Sequence, residues 1–417
     1  MTDLETTVCI AGAGPAGMML GLLLARAGID VIVLEKHTDF NRDFRGDTVH
    51  PSTLEVLDEL GLSEEFHRLP HQKVSTVGVV QGEKRVDIAD FTKLKLRFPY
   101  IALVPQWDFL ALLARAAQRH SGFRLMMGAE VIGPTWELNR VSGVRARNRE
   151  GEFTVRAALT VASDGRGSAL RREIGFSPQD FACALDVIFF RLSRRRTDPP
   201  EGICVRLGHG RVFGATDRGT YWQMSYETGR GRFEELRAHG LDEFRADLAR
   251  LVPFLADRAA EIGGIEDLSL LECRIDRLRR WHAPGILFLG DAAHAMSPVA
   301  GFGINLALQD AVAAANLLWR PLWRVQNGTA DFDDRVLARV RRRRWMAVAL
   351  SQGLQRLVQR FGIDSALRGK GRPRAPEIFE RSGGLQKAMS RVIGVGFQPE
   401  HVLTPVRHAE YIGKGAS

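Results

Sequence analysis

The sequence predicts an α/β protein: a Rossmann-like domain interrupted by an inserted mixed β-sheet and followed by a helical C-terminal region. Three stretches carry that expectation. TTVCIAGAGPAGMMLGLLLARAGIDVIVLEK (6–36) reads as a βαβ unit with its glycines gathered in the first turn. GILFLGDAAHAMSPVAGFGINLALQDA (285–311) reads as an apolar strand that ends on Gly-Asp before a glycine-opened helix. Between them, residues 176–275 alternate apolar and polar positions at strand period. The expected boundaries are 1–175 and 276–330 for the nucleotide-binding domain, 176–275 for the inserted sheet, and 331–417 for the helical region.

In the first stretch, Val8, Cys9 and Ile10 form a short buried strand, and Met18 to Ala27 a helix that Gly28 stops. Val31 to Leu34 form the next parallel strand. In the turn, Gly12 permits the tight bend and Gly14 lets a pyrophosphate approach the backbone at the helix N-terminus. Gly17, just after Ala16, lets helix and strand pack closely. Glu35, followed by Lys36, ends the second strand, where an acid accepts hydrogen bonds from adenosine ribose. An ADP-containing cofactor follows; NAD and FAD both satisfy this much.

In the second stretch, Ile286 to Leu289 form the strand and Asp291 stands at its carboxyl end, where open α/β sheets place ligands. A carboxylate there suits a polyol. The helix is expected from Ile304, behind Pro298, Gly301 and Gly303, with its N-terminal amides offering partial positive charge. A reduced isoalloxazine is anionic at its pyrimidine edge and carries a ribityl chain; NAD has neither. FAD is therefore the expected cofactor. His294 lies in the same loop, where a structural and a catalytic role are equally open.

Within the insert, 187–193, 203–226 and 268–278 are strand-rich, with helices around 232–260. Tyr221, Gln223 and Ser225 share one face of their strand; Trp222, Met224 and Tyr226 share the other. One face is expected in the core, and the other, with Tyr221 and Gln223, is a candidate pocket lining against the alternative of a half-solvated face. Beyond residue 320 the chain reads helical. Met346, Leu350, Leu354, Leu357, Val358 and Phe361 form an apolar stripe expected to pack rather than to anchor in a membrane, and a last helix lies near 384–392.

The 417 residues are 45% hydrophobic and 26% charged, which suits a globular chain with room for two domains. Cys9, Cys183, Cys204 and Cys273 are far apart in sequence, so no disulfide framework or zinc site is expected, and no haem or iron–sulfur ligand set is visible. The acidic MTDLETT start lacks a signal-peptide n-region, and the apolar run 8–25 contains too much glycine for a membrane span, so the cytoplasm is expected. The net charge of +9 gathers in RLSRRR (191–196) and RVRRRR (339–344). Without a recognition module or aromatic platforms these clusters read as solvated faces, not a nucleic-acid surface. A homodimer is compatible with this reading.

AGAGPAG with Glu35, ASDGRGSALRREIG (162–175) and FLGDAAHAMSPVAGFGINLALQDA (288–311) resemble, in this order, the three signatures of the single-component FAD-dependent aromatic hydroxylases, the p-hydroxybenzoate hydroxylase-like monooxygenases. FRGDTVHPSTLEVLDELGL (44–62) and VPQWDFLALL (104–113) resemble further family segments. The likeness covers roughly residues 5–320 and is thinnest from 176 to 275. It implies FAD contacts from Gly12, Gly14, Ala16, Gly17, Glu35, Lys36, Arg45, Gln106, Val131, Asp164, Gly290, Asp291, Pro298, Gly301, Gly303, Ile304 and Asn305. The Asp164–Gly165 pair is linked in the family to NAD(P)H use, and Arg45 lies near the flavin. Arg45, Pro298, Tyr221 and Gln223 are the candidate catalytic and substrate-facing residues.

The reaction implied by the resemblance is hydroxylation of a small phenolic or polycyclic aromatic. NAD(P)H reduces FAD, O2 adds at flavin C4a, and the hydroperoxide gives one oxygen atom to the ring. No second GxGxxG and no WxWxIP segment occurs, which argues against a two-dinucleotide Baeyer–Villiger enzyme and a halogenase. Epoxidation, Baeyer–Villiger insertion, or flavin oxidase or reductase activity on the same scaffold is the alternative, as is a flavin-holding binding protein. No base for a phenolic proton is identifiable from sequence.

Overall fold

A computed structural model describes residues 3–41, 47–181, 183, 185–298, 301–367 and 382–407. Two large sheets organise it. The first has eight strands, with a parallel core ordered Ile286–Phe288, Gly151–Ala162, Asp3–Ala11, Val31–Glu35 and Phe123–Met127. Strand alternation divides its core in two. Val8, Ile10, Val31 and Val33 face one cluster with the helices Pro15–Arg26, Gln106–Ala117 and Phe302–Gln326, while Cys9, Ala11, Ile32 and Leu34 face another. The carboxyl ends of the first two strands and the Gly-Asp turns gather on one edge, the ligand edge of such sheets.

The second sheet has seven strands, ordered Ser269–Glu272, Leu185–Ser193, Tyr221–Gly229, Arg211–Asp217, Ile203–Gly208, Thr76–Gln81 and Lys84–Asp90. Its last two strands come from within residues 1–175, and Thr76–Gln81 pairs in parallel with Ile203–Gly208. The sheet is thus shared between the expected parts, because the Ile203 edge needs a partner for its backbone groups and the chain supplies one from the first segment. Its outer face carries Trp222, Met224 and Tyr226, buried against the helices Arg232–His239 and Asp242–Leu251. Its inner face looks towards the first sheet.

The helical region differs from expectation. The helix Arg335–Val358 buries Arg344, Gln352 and Gln355, while Met346, Leu350, Leu357 and Phe361 are exposed. The apolar stripe is not the packing face along its whole length. Polar side chains go inward because they hold backbone groups of the Gly-Asp segment. Gln352 Nε2 donates to Asp276 O and Ala295 O, and Gln355 Nε2 to Ser297 O. Arg344, from the cluster read as a solvated face, is fully buried and donates to Asp310 Oδ1 at 2.9 Å. Arg194 likewise pairs with Asp217 at 2.7 Å. Cys183 and Cys273, distant in sequence, are buried together in one apolar cluster. Segment GRPRAP (371–376), which the sequence reads as a loop, lies outside the described residues, and the last helix spans Gly383–Gly394. Among the described residues no helix is long and apolar enough to cross a membrane, and no cluster suits a metal ion.

Candidate active site

A continuous cavity of about 1800 Å³ runs from the glycine turn of the first sheet to the inner face of the second. At one end the glycines divide by function. Gly12 has φ +98°, and a Cβ there would lie 2.5 Å from Ser163 O; a Cβ on Gly17 would lie 2.0 Å from Gly12 O. Both are demanded by packing between turn, helix and strand end. Gly14 lines the cavity, and a Cβ on it would meet nothing within 4 Å among the described residues. It caps the helix Pro15–Arg26 without a side chain, so the first-turn amides direct positive potential at the cavity.

Glu35 is buried, and its carboxylate ties the turn to the strand end. Oε2 accepts from Ala13 N at 2.9 Å and Oε1 from His37 N at 3.1 Å. Ala16, Glu35, Lys36, Gln106 and Val131 all line the cavity; Gly17 packs beneath it. Asp164 lines it too. Its Oδ2 accepts from Leu170 N at 3.4 Å, while Oδ1 is a buried acceptor with no partner among the described residues. Burial pushes its carboxyl above the usual range.

Gly290 and Asp291 border the same space. Asp291 Oδ2 accepts from Arg166 Nε at 2.9 Å, and Arg166 Nη2 donates to Met296 O at 3.0 Å. Burial disfavours the Arg166 charge, but the Asp291 carboxylate outweighs it and holds the guanidinium above its ordinary pKa. The sequence reading missed Arg166. Its only signal was its place after Asp164-Gly165; the pairing spans 125 residues.

The loop below shows a second division. Gly301 has φ +64°, and a Cβ there would meet Thr48 Oγ1 at 2.3 Å, so protein packing requires this glycine. Gly303 is helical; among the described residues a Cβ would find only Met296 Cβ, at 3.9 Å, and the residue lines the cavity with Pro298 and Ile304. The helix begins at Phe302 rather than Ile304, so the amides of Phe302, Gly303 and Ile304 lack intrahelical acceptors. Asn305 does not line the cavity. Its Oδ1 accepts from His50 N and Thr53 Oγ1 at 2.9 and 2.8 Å, and its Nδ2 donates to Thr48 O and Gly301 O. It braces the loop from behind. His294 is also outside the lining and buried, with Nε2 2.5 Å from Asp310 Oδ2, which marks it as structural. Arg45 lies outside the described residues.

The second sheet forms the remaining wall. Gln223 lines the cavity as expected; Tyr221 does not. Tyr221 shares that face but stands at the strand's beginning, with the Arg191 guanidinium 4.9 Å from its ring centroid. The strand continues the face with Ser225 and Glu227, and the sequence reading missed Glu227. Alternation placed it on the right face, but nothing local told that a charge there faces a cavity rather than solvent. Leu354, Leu357, Val358 and Phe361 of the helical region also border the space.

These features fit FAD: a glycine turn with room at Gly14, an acid at Glu35, an unsatisfied acceptor at Asp164, a held carboxylate at Asp291, and amides beside open space at Gly303. Residues 5–352 match the family described as FAD binding domain. The 6-methylpretetramide 4-monooxygenase of Streptomyces rimosus is 29% identical over 391 residues, which cover 93% of this chain and 92% of the relative. The 12-dehydrotetracycline 5-monooxygenase/anhydrotetracycline 6-monooxygenase of Streptomyces rimosus subsp. rimosus is 30% identical over 75% of this chain, which spans 62% of that relative's length. The solved anhydrotetracycline hydroxylase of Streptomyces rimosus superposes with TM-score 0.72 at 26% identity, covering 94% of this chain and 76% of the other. The p-nitrophenol 4-monooxygenase of Pseudomonas putida DLL-E4 shares the fold, with TM-score 0.75 at 18% identity over 94% of this chain and 97% of its own. The glycine turn, the two Gly-Asp corners and the match across both sheets lead to one conclusion: this chain belongs to the FAD-binding-domain family of p-hydroxybenzoate hydroxylase-like monooxygenases.

Proposed function

We propose that the protein hydroxylates a polycyclic phenolic substrate of the tetracycline-like kind, using NAD(P)H and O2. The observation that carries this reading is the cavity. At about 1800 Å³ it exceeds the roughly 300–1,000 Å³ of a site for one drug-sized ligand, which leaves a compartment beyond the cofactor for a large ring system. The names of the relatives that match most of the chain point to the same substrate class. FAD, when bound, supplies the activation of O2 and the oxygen transfer.

The chain's own residues bind, orient and exclude water. Gly14, Glu35 and Asp164 would hold the dinucleotide end, and Asp291, aligned by Arg166, would accept from the ribityl hydroxyls. The amides of Phe302 to Ile304 favour negative charge at the pyrimidine edge. Pro298 and Gln223 line the cavity and would border the reacting ring. Substrate-stimulated NAD(P)H oxidation across a panel of phenols and polycyclic aromatics, with mass-spectrometric product detection, tests this. A product with one added oxygen atom is expected. NAD(P)H consumption that no aromatic stimulates, with peroxide as its only product, overturns the reading.

A further inference from the structure

Glu227 is an acid on the cavity side of the substrate sheet that no part of the cofactor site uses. Strand register shows how unusual its position is. Val187 and Val212 stand opposite it on the two flanking strands, with Leu271 and Leu207 one strand further out. The next row along the same face is Phe189, Ser225, Gly214 and Val205. Around Glu227 the floor is apolar and is crossed by the polar stripe Gln223–Ser225–Glu227 along one strand, whose Gln223 end is flanked by Arg191 and Thr216. Ile363 and Ala366 pack on Val187, Leu207 and Val212, which closes the Glu227 end against water.

The carboxylate is half satisfied. Ser225 Oγ donates to Oε1 at 2.7 Å, in the room that Gly214 leaves by lacking a Cβ. Oε2 is buried with no partner among the described residues. Arg191, on a neighbouring strand, shares this face but stands two rows away opposite Gln223, with its guanidinium over the Tyr221 ring, whereas Asp186, Arg206, Arg211, Asp217 and Glu272 occupy alternate positions and so point to the other face. Arg211 is paired there with Asp247 and Glu243, and Arg206 with Glu201. Arg360 and Asp364 are the charged residues of the covering segment 359–367. No charged side chain among the described residues offsets the burial, which pushes the Glu227 carboxyl up to about 7.

Resting on the proposed hydroxylase reading, we propose that Glu227 is the general base of the reaction, with Oε2 taking the proton of a ring hydroxyl on the bound phenolic substrate. The substrate O–H bond breaks, an O–H bond forms on Oε2, and the electron pair stays on the phenolic oxygen. The ring becomes more electron-rich and more reactive towards an electrophilic oxygen donor. No redox change occurs in this step, and the proton passes to water after product release.

The test uses the FAD-loaded enzyme and alizarin, a tricyclic phenol whose absorbance shifts to the red on ionisation. Above about pH 7, where the Glu227 carboxyl is free to take a proton, wild type is expected to bind the dye and show the ionised band. Glu227→Gln, which keeps the shape, is expected to bind it as the neutral phenol, and Glu227→Asp to restore part of the ionised band. In turnover, Glu227→Gln is expected to lose the acid limb of the pH–rate profile and at least about tenfold in kcat. The same dye spectrum in wild type and Glu227→Gln overturns the assignment, as does failure of wild type to retain the dye. Should Glu227→Gln not take up FAD, titration of the wild-type complex decides. A single dye transition at about 7 supports the base, and ionisation at the free dye's own pH overturns it. An unchanged dye spectrum alongside hydroxylated product sinks only the base. An ionised dye without stimulated NAD(P)H oxidation sinks only the hydroxylase reading.

Discussion

Gly301 and Gly303 are two residues apart and answer to different neighbours. Gly301→Ala forces a side chain into a left-handed backbone and onto Thr48 Oγ1, so the apoprotein is expected to lose roughly 1–3 kcal/mol, read by denaturant titration. Gly303→Val sits on helical backbone beside open cavity. Its apoprotein is expected to unfold within about 1 kcal/mol of wild type while FAD affinity falls at least about tenfold, read by flavin fluorescence titration. Apoprotein collapse in Gly303→Val with normal FAD affinity in the surviving fraction reverses this assignment. Glu227 adds a pH effect. Its folded pKa, about 7, lies above its ordinary value, so its contribution is complete below the unfolded pKa and is lost as pH rises through about 7. Glu227→Gln is therefore expected to stabilise the apoprotein at and above neutral pH by on the order of 1–3 kcal/mol, and to flatten the loss that wild type shows on its way there. Thermal unfolding across that window checks it.

The helix Arg335–Val358 shows how an element is held by its polar residues. Arg344 joins Asp310, which also receives His294, and Glu400, which Arg343 clamps from the other side. The helix Phe302–Gln326, the loop before it and the C-terminal segment meet at one buried ionic cluster. Removing one partner leaves the others buried and uncompensated, so Arg344→Met is expected to cost about 3–5 kcal/mol in urea unfolding. It is also expected to loosen FAD binding, because the same helix positions Ser297 O through Gln355. The stripe from Met346 to Phe361 was legible as a helical period, but its direction was not. Period tells which residues share a face; only the neighbouring carbonyls decide which face goes inward.

At the scale of the molecule, FAD is expected to act as a structural ligand, since its cavity is walled by both sheets. At about 100 times its Kd, FAD is expected to raise the unfolding free energy by about 2.7 kcal/mol. Asp291→Ala, with one end of the cofactor unheld, is expected to show a smaller rise at the same FAD concentration. Equal rises in the two proteins, measured by thermal unfolding at several FAD concentrations, exclude Asp291 from cofactor binding.

The sequence by itself determined the βαβ unit, the glycine turn and its partition of labour at Gly12, Gly14 and Gly17, and the alternation that buries Trp222, Met224 and Tyr226. These are local matters, set by period two, period 3.6 and the sterics of a missing Cβ. Only the tertiary structure decided that Thr76–Gln81 completes the second sheet, that Arg166 holds Asp291, that Asn305 and His294 brace rather than touch the cavity, and that Glu227 faces it. Each depends on a partner far away in the chain. A side chain's chemistry is written in its residue type, but its desolvation and its hydrogen-bond partners are fixed by what folds against it.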